Sequence, residues 1–205
     1  MLIEQDLKRL FDYIEPSDQN LPCYSYRIHE LLLRACIEVE ANCKAILLEN
    51  GYAKSGDLRM VDYVKIEASH RLSEYRVRVP VWTGANGVRR PFSNWASRTP
   101  LNWYKTYNAA KHDRHSEFQS ATFEMMLDAI CGCLVVLSAQ FMEEEFAGGM
   151  DIVISGGLTD GWDYAIGRFF HVDYPKSWAE TERYAFKWKE LSSQVDPFDN
   201  YPYPP

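Results

Sequence analysis

Residues 103–115 bring together more reactive side chains than any other part of the chain. Their pattern predicts one helix, and residues three or four positions apart are neighbours on a helix surface. Asn108, Lys111, His112 and His115 therefore share one stripe of the predicted helix. An amide, an ammonium group and two imidazoles on one face are suited to contact with a phosphate group.

The chemistry that these residues suit is the cleavage of RNA without a metal. This reaction needs a base for the 2′-hydroxyl proton, an acid for the leaving oxygen and cations beside the phosphate. His112 is the predicted proton-transfer residue, because imidazole titrates near neutrality. Lys111 is predicted to supply charge, and Asn108 is predicted to orient the sugar or the phosphate. These three are our candidate catalytic residues.

A second set of residues is predicted to bind the substrate. It consists of Lys105, Tyr107, Arg114, His115, Arg76 and Arg78. Arg114 lies about 200° from His112 around a regular helix, so it would serve a neighbouring chain or an adjacent surface. His112 and His115 alone are weak evidence for zinc, and we predict neither a metal nor a cofactor.

Each of these residues also has a structural interpretation. Asn108 would then bridge to a neighbouring loop or helix, and His112 would bond to Glu38 or Glu40. Lys111, Asp113 and Arg114 would then form a solvated face. The aromatic residues near the motif also have two interpretations. They would stack on bases, or they would fill the core or a dimer interface. They are Trp82, Trp95, Trp103 and Tyr104.

Positive charge is concentrated in residues 71–115. This segment holds nine basic and two acidic side chains, whereas the whole chain has 22 basic and 29 acidic residues and a net charge of −7. The basic residues are Arg71, Arg76, Arg78, Arg89, Arg90, Arg98, Lys105, Lys111 and Arg114. The asymmetry indicates either a local anionic partner or a basic segment that docks on the acidic remainder.

Composition indicates a soluble, cytoplasmic protein. The chain has 205 residues, of which 46% are hydrophobic, as in a folded globular domain. Its first ten residues carry charges and do not resemble a signal peptide. The longest nearly apolar run, residues 129–139, is shorter than the roughly 20 residues of a membrane span. The five cysteines lack metal-ligand spacing and are predicted to be reduced core residues.

Apolar spacing predicts a chain made mostly of helices. The expected helices cover residues 2–14, 24–50, 57–70, the stretch that begins at Thr99-Pro100 with the reactive residues, and 116–144. In the third helix Leu58, Val61, Val64 and Ala68 are predicted to face inward. Alternation over residues 75–82, a turn and a short return over 88–92 predict a β-hairpin, in which Pro80 indicates an open edge.

The C-terminal region differs in kind from the rest of the chain. It is glycine-rich at residues 155–161 and then aromatic, with a short helix predicted near residues 178–191. The proline-rich tail, residues 196–205, is predicted to pack as an arm on the chain's own surface or on a partner.

These elements predict a mainly α protein, an up-and-down helical bundle with a small β-hairpin insertion at about residues 74–92 and an irregular C-terminal extension. The bundle is expected to span residues 1–147, and the extension, residues 148–205, is expected to pack on it. Within the bundle, Asn108 and His112 resemble the Arg-Asn-x-x-x-His signature of HEPN domains. The charged helix around residues 34–44 is similar to that family too, and the resemblance covers about residues 20–145.

The resemblance implies a protein of RNA processing, phage defence or toxin–antitoxin type. Many HEPN proteins are metal-independent endoribonucleases that act as homodimers and bring two signature motifs together. Others bind RNA, nucleotides or a protein partner, such as an antitoxin, without catalysis. Here Tyr107 occupies the position of the signature arginine, and a phenol lacks the permanent forked charge that grips phosphate. The sequence therefore leaves three classes open: a ribonuclease, a non-catalytic binding module and an assembly component.

Overall fold

The computed structural model describes residues 2–141, 160–177 and 200–204. Within them the protein is mainly helical and carries a small antiparallel sheet. The helices are α1 (Leu2–Phe11), α2 (Tyr26–Glu49), α3 (Met60–Tyr63), α4 (Glu67–His70), α5 (Asn102–His112), α6 (Arg114–Glu117) and α7 (Phe123–Phe141). The strands are β1 (Arg76–Arg78), β2 (Val88–Arg89), β3 (Asp163–Tyr164) and β4 (His171–Asp173).

This architecture confirms the predicted mainly α class with a small β-hairpin. Whether the helices follow the bundle topology of HEPN domains stays a prediction. The expected domain boundary at residue 147 lies outside the described residues, as do the predicted end of the last bundle helix at residue 144 and the short helix near residues 178–191.

Helices α2 and α7 make the most extensive contact between elements and form the centre of the core. Helix α2 begins after Ser25, whose Oγ accepts a hydrogen bond from Ile28 N at 3.2 Å and so caps the helix. Its apolar residues recur every three or four positions and pack on one side. Among the described residues, α7 is the one helix apolar and long enough to cross a membrane, and 72% of its most apolar window is buried inside the fold. Such burial is typical of the core helix of a soluble protein, whereas a cytoplasmic location stays a prediction.

The third predicted helix is interrupted. Helix α3 is followed by a 3₁₀ turn at Val64–Ile66 and then by α4. Asp62, rather than the predicted Asp57, fixes its start, because the Asp62 carboxylate accepts a hydrogen bond from Arg59 N at 2.8 Å.

The predicted inward face of this region is half right, because Leu58 and Val64 pack against the core whereas Val61 and Ala68 are exposed. Val61 is 70% exposed, whereas Tyr63 and Ile66 are buried. The helix starts three residues later than expected and contains a 3₁₀ turn of three residues. Regular α-helical spacing counted from Asp57 therefore selects two exposed side chains and misses Tyr63 and Ile66.

The predicted hairpin is present, and the C-terminal extension enlarges it. Val77 of β1 pairs with Arg89 of β2 on one side and with Val172 of β4 on the other. The strand order is β2-β1-β4-β3, so β1 is an inner strand. The part of the extension expected to be irregular thus supplies two strands to the sheet.

Cysteines and large aromatic residues fill the core. Cys36, Cys43, Cys131 and Cys133 are free and buried, as predicted. Burial raises the pKa of the Cys133 thiol to about 12. Three of the aromatic residues near the motif, Trp95, Trp103 and Tyr104, are also buried, which confirms the core interpretation for them.

The end of the chain packs as an arm on the chain itself. Tyr203 is buried, and its hydroxyl lies 2.5 Å from Ser69 Oγ. Tyr201 N donates to Asn50 Oδ1 at 2.7 Å, and Lys65 Nζ donates to Pro204 O at 2.5 Å. Residues 201–204 therefore lie against the loop after α2 and the region of α3 and α4.

Candidate nucleic-acid interface

Helix α5 presents one aromatic face to the core and one polar face to solvent. Its buried residues are Trp103, Tyr104, Tyr107 and Ala110. Lys105, Lys111 and His112 are exposed, and Asn108 is half-buried beside them. The helix begins at Asn102 rather than at the predicted Pro100, since Thr99 Oγ1 instead donates to Asn94 O at 3.0 Å.

A glycine lets α5 lie close to the central helix α7. A methyl group at Gly132 would come within 3.2 Å of Trp103 Cζ2, closer than ordinary van der Waals contact. The indole nitrogen of Trp103 also donates to Pro91 O at 2.8 Å. The first turn of α5 is therefore fixed both to α7 and to the end of the hairpin segment.

Glu40 of α2 holds the middle of α5. Its carboxylate accepts hydrogen bonds from the Tyr104 hydroxyl and, at 3.1 Å, from the Tyr107 hydroxyl. Burial and the Glu40 charge raise the pKa of both phenols far above its usual range, so both remain protonated donors. Lys111 Nζ in turn donates to Tyr107 Oη at 3.2 Å. A continuous chain of hydrogen bonds thus runs from the half-buried Glu40 carboxylate to an exposed cation.

The reactive segment is not one helix, which corrects the sequence prediction. Asp113 leaves helical geometry, with φ −136° and ψ 74°, and separates α5 from α6. Its carboxylate accepts a hydrogen bond from Ser116 N at 3.1 Å, which lowers the pKa of Asp113. His115 therefore belongs to the next helix rather than to the α5 stripe.

The helix predicted over residues 116–144 also starts elsewhere. Asp113, not Ser116, caps α6, and a 3₁₀ turn at Phe118–Ser120 follows. The long helix α7 begins only at Phe123, where Thr122 Oγ1 accepts a weak bond from Met125 N at 3.4 Å.

The structure places six of the predicted site residues on α5 and α6, two consecutive helices that contact each other. We call this set the α5–α6 surface and define it as Lys105, Asn108, Lys111, His112, Arg114 and His115. All but the half-buried Asn108 are exposed. Tyr107, also predicted to bind substrate, lies instead beneath this surface and is 1% exposed.

The structural alternative for His112 is not realised. Among the described residues, no hydrogen bond or ion pair joins His112 to Glu38 or Glu40, and the Glu40 carboxylate instead accepts hydrogen bonds from Tyr104 and Tyr107. Within the same residues, Lys105, Lys111 and Arg114 form no ion pair either. Their charges are therefore available to an external group.

Arg76 and Arg78, also predicted to bind substrate, lie in the sheet. Arg76 Nε donates to Asp173 at 2.6 Å, and Arg78 donates to Asp160 at 2.7 Å. Both guanidinium groups also lie over the Trp162 ring, at 5.2 and 4.1 Å. The fold therefore neutralises the charges of both arginines within the sheet. Neither residue belongs to the α5–α6 surface.

Sequence reasoning missed two groups of residues around this surface. The sequence offered Glu40 only as a structural partner of His112, whereas its carboxylate accepts hydrogen bonds from Tyr104 and Tyr107. The exposed rings of Tyr24 and Tyr26 and the half-buried ring of Phe118 were missed because about ninety residues separate the tyrosines from Phe118 along the chain.

Neither a metal-binding group nor a known relative helps to assign a function to this site. In the described part of the chain, no group of three or more His, Cys, Asp or Glu side chains is arranged to hold a metal ion. Comparison with family models, with curated proteins and with solved structures finds no match to this chain.

Proposed function

We propose that this protein is a HEPN-like RNA-binding protein of the RNA-processing or phage-defence type, and that it binds single-stranded RNA on the α5–α6 surface. The observation that carries the proposal is the exposure of Lys105, Lys111 and Arg114 beside His112 on a chain of net charge −7. Exposed cations on an acidic protein favour a local anionic ligand.

The hydrogen-bond chain from Glu40 supports a positioned binding surface. Lys111 is tied to Tyr107, and Tyr107 is tied to Glu40. An anchored ammonium loses less freedom on binding than a free lysine side chain does. Tyr107 stands where the HEPN signature has arginine, so in this proposal Lys111, one turn further on, takes the role of the phosphate-contacting cation.

Cleavage of the bound RNA is the second candidate function, and the exposure of His112 without an acidic partner in the described residues favours it. In this reaction the imidazole takes the 2′-hydroxyl proton, and the 2′-oxygen attacks phosphorus. The bond from phosphorus to the 5′-oxygen breaks, and the proton returns through water to that oxygen. The products are a 2′,3′-cyclic phosphate and a 5′-hydroxyl. A homodimer would present two copies of His112, and an antitoxin or another protein would be the partner that controls the activity.

Binding is tested by fluorescence anisotropy with a labelled single-stranded RNA of ten nucleotides. The K111Q variant is expected to bind about 3- to 10-fold more weakly, because a phosphate contact is lost. The matched control is K44Q, which removes an exposed lysine from α2 and should leave the affinity unchanged. Equal affinity of wild type and K111Q would contradict the proposed site.

Cleavage is tested with the same RNA in the presence of EDTA, followed by analysis of the product ends. The wild type is expected to produce 2′,3′-cyclic phosphate ends, and H112A is expected to produce none while still binding RNA. Equal cleavage by H112A would remove His112 from the reaction. Binding without cleavage by the wild type would leave the non-catalytic module as the function.

A further inference from the structure

A cluster of aromatic rings lies beside the α5–α6 surface. Tyr26, in the first turn of α2, and Tyr24 just before it are 72% and 47% exposed. Both rings pack on Phe118, in the 3₁₀ turn after α6, with ring centroids 4.8 Å and 5.9 Å apart respectively. We call Tyr24, Tyr26 and Phe118 the aromatic platform.

The platform is joined to the α5–α6 surface through Arg114. The guanidinium carbon of Arg114 lies 5.6 Å from the centre of the Tyr26 ring. Arg114 is two residues from His112, so their Cα atoms are at most about 7 Å apart. A ligand that contacts Tyr26 therefore has a cation at its side and the proposed reactive residues nearby.

The rings are held before any ligand arrives. Phe123 N donates to Cys23 O at 2.7 Å, and Glu124 N donates to Leu21 O at 3.0 Å, which ties the segment before α2 to the start of α7. From below, the buried His29 ring lies 5.5 Å from that of Phe118. Within the described residues its Nε2 is buried without a hydrogen-bond partner, and burial and the Arg114 charge lower the pKa of His29.

We infer that the aromatic platform is a stacking site for one unpaired base of the RNA, an inference that rests on the proposed function. Exposed tyrosine rings stack on bases of any sequence, and an adjacent arginine adds a cation–π contribution. Arg114 supplies charge complementarity to the phosphate that carries the base. The platform thus selects single-stranded over double-stranded RNA, because paired bases cannot reach it.

The test compares two oligomers with the same number of phosphates, a ten-nucleotide adenine RNA and an abasic ribose-phosphate strand. Wild type is expected to bind the adenine RNA more tightly. Y26A should lower affinity for the adenine RNA about 5- to 100-fold and leave affinity for the abasic strand unchanged. Y26F and Y26W should restore binding, because they keep a ring.

The matched control is Y13A, which removes a tyrosine that lies two residues after the end of α1 and is 87% exposed. It should bind both oligomers as wild type does. Oligomeric state is measured in parallel by analytical ultracentrifugation, since exposed rings also pair subunits. A change of oligomeric state in Y26A with unchanged RNA affinity would overturn the stacking site in favour of a contact between two copies.

The remaining outcomes separate this inference from the proposed function. If K111Q weakens the binding of both oligomers but Y26A weakens neither, the α5–α6 surface binds RNA and the platform does not. If Y26A weakens the binding of the adenine RNA alone and K111Q has no effect, the stacking site is supported and the proposed phosphate site is contradicted. If wild type binds neither oligomer, both are overturned.

Discussion

Two groups of basic residues in the same segment of the chain have opposite surroundings. The sheet arginines, Arg76, Arg78 and Arg89, each contact an acidic side chain, and Arg89 reaches both Asp128 at 2.7 Å and Glu124 at 3.0 Å. The cations of the α5–α6 surface form no such pair within the described residues. The comparison shows that the +7 charge of residues 71–115 divides into a part that holds the fold together and a part that faces solvent.

The two interpretations of the basic segment therefore apply to different residues. Docking on the acidic remainder describes the sheet arginines, whose partners come from α7 and from the C-terminal extension. An external anionic partner is the proposal for Lys105, Lys111 and Arg114. Substitutions in the two groups should consequently separate stability from RNA binding.

The largest effect is expected at Arg89, which is 8% exposed. R89M removes the cation and leaves Asp128, whose pKa burial already raises, in the interior without its main partner. Loss of one partner of a buried pair costs about 3–5 kcal/mol of unfolding free energy. Urea denaturation measures this cost.

The neighbouring exposed residue Arg90 provides the control, since R90M should change stability by less than about 0.5 kcal/mol. Equal stabilities of R89M and R90M would mean that the buried pair does not hold β2 on α7.

Buried and exposed imidazoles extend the same contrast. His70 is 2% exposed, and burial lowers its pKa to about 4. The unfolded chain therefore binds a proton at His70 that the folded chain does not between about pH 6.5 and pH 4. Stability should fall with falling pH across this window by up to about 3 kcal/mol from this residue.

The H70N variant keeps a polar group near Ser69 but cannot titrate, so it should show a smaller loss of stability between pH 6.5 and pH 4 than wild type. Denaturation at a series of pH values measures the difference. A pH profile of H70N as steep as that of wild type would show that His70 is not the linked group.

Glu40 contributes both to the stability of the fold and to the exposed surface, because it holds two tyrosines, one of which accepts a hydrogen bond from Lys111. E40A would leave two buried tyrosine hydroxyls without their acceptor, at a cost of about 1–3 kcal/mol. It should also weaken RNA binding by releasing Lys111. E38A, on the exposed side of the same helix, should do neither. Unchanged stability in E40A would show that the tyrosines find other acceptors.

Secondary structure could be predicted from the sequence where one periodic pattern covers a long element. Helix α2 and the start of the hairpin match their predictions because apolar spacing and a good cap agree over many residues. The pattern failed at Asp113, where a side chain caps a new helix inside a polar stretch that has no apolar spacing to mark the break. It failed again around Val61, where a 3₁₀ turn shifts the phase.

The site residues divide in the same way. Types and spacing identified the exposed His112 and Lys111, but a sequence cannot show that Arg76 and Arg78 meet carboxylates about ninety residues away along the chain. The partner strand comes from the C-terminal extension, which has little apolar periodicity. The aromatic platform could not be predicted either, because Tyr24 and Tyr26 are far from Phe118 along the chain.

The central claim is that the cations of the α5–α6 surface bind RNA and that the sheet arginines do not. Its most direct test is the salt dependence of binding to single-stranded RNA. The logarithm of the binding constant should fall linearly with the logarithm of salt concentration, and a variant with K105Q, K111Q and R114Q should reduce that slope by about 2. A variant with R76Q and R78Q should keep the wild-type slope. The reverse result, a reduced slope only when the sheet arginines are removed, would place the RNA on the sheet and contradict the account.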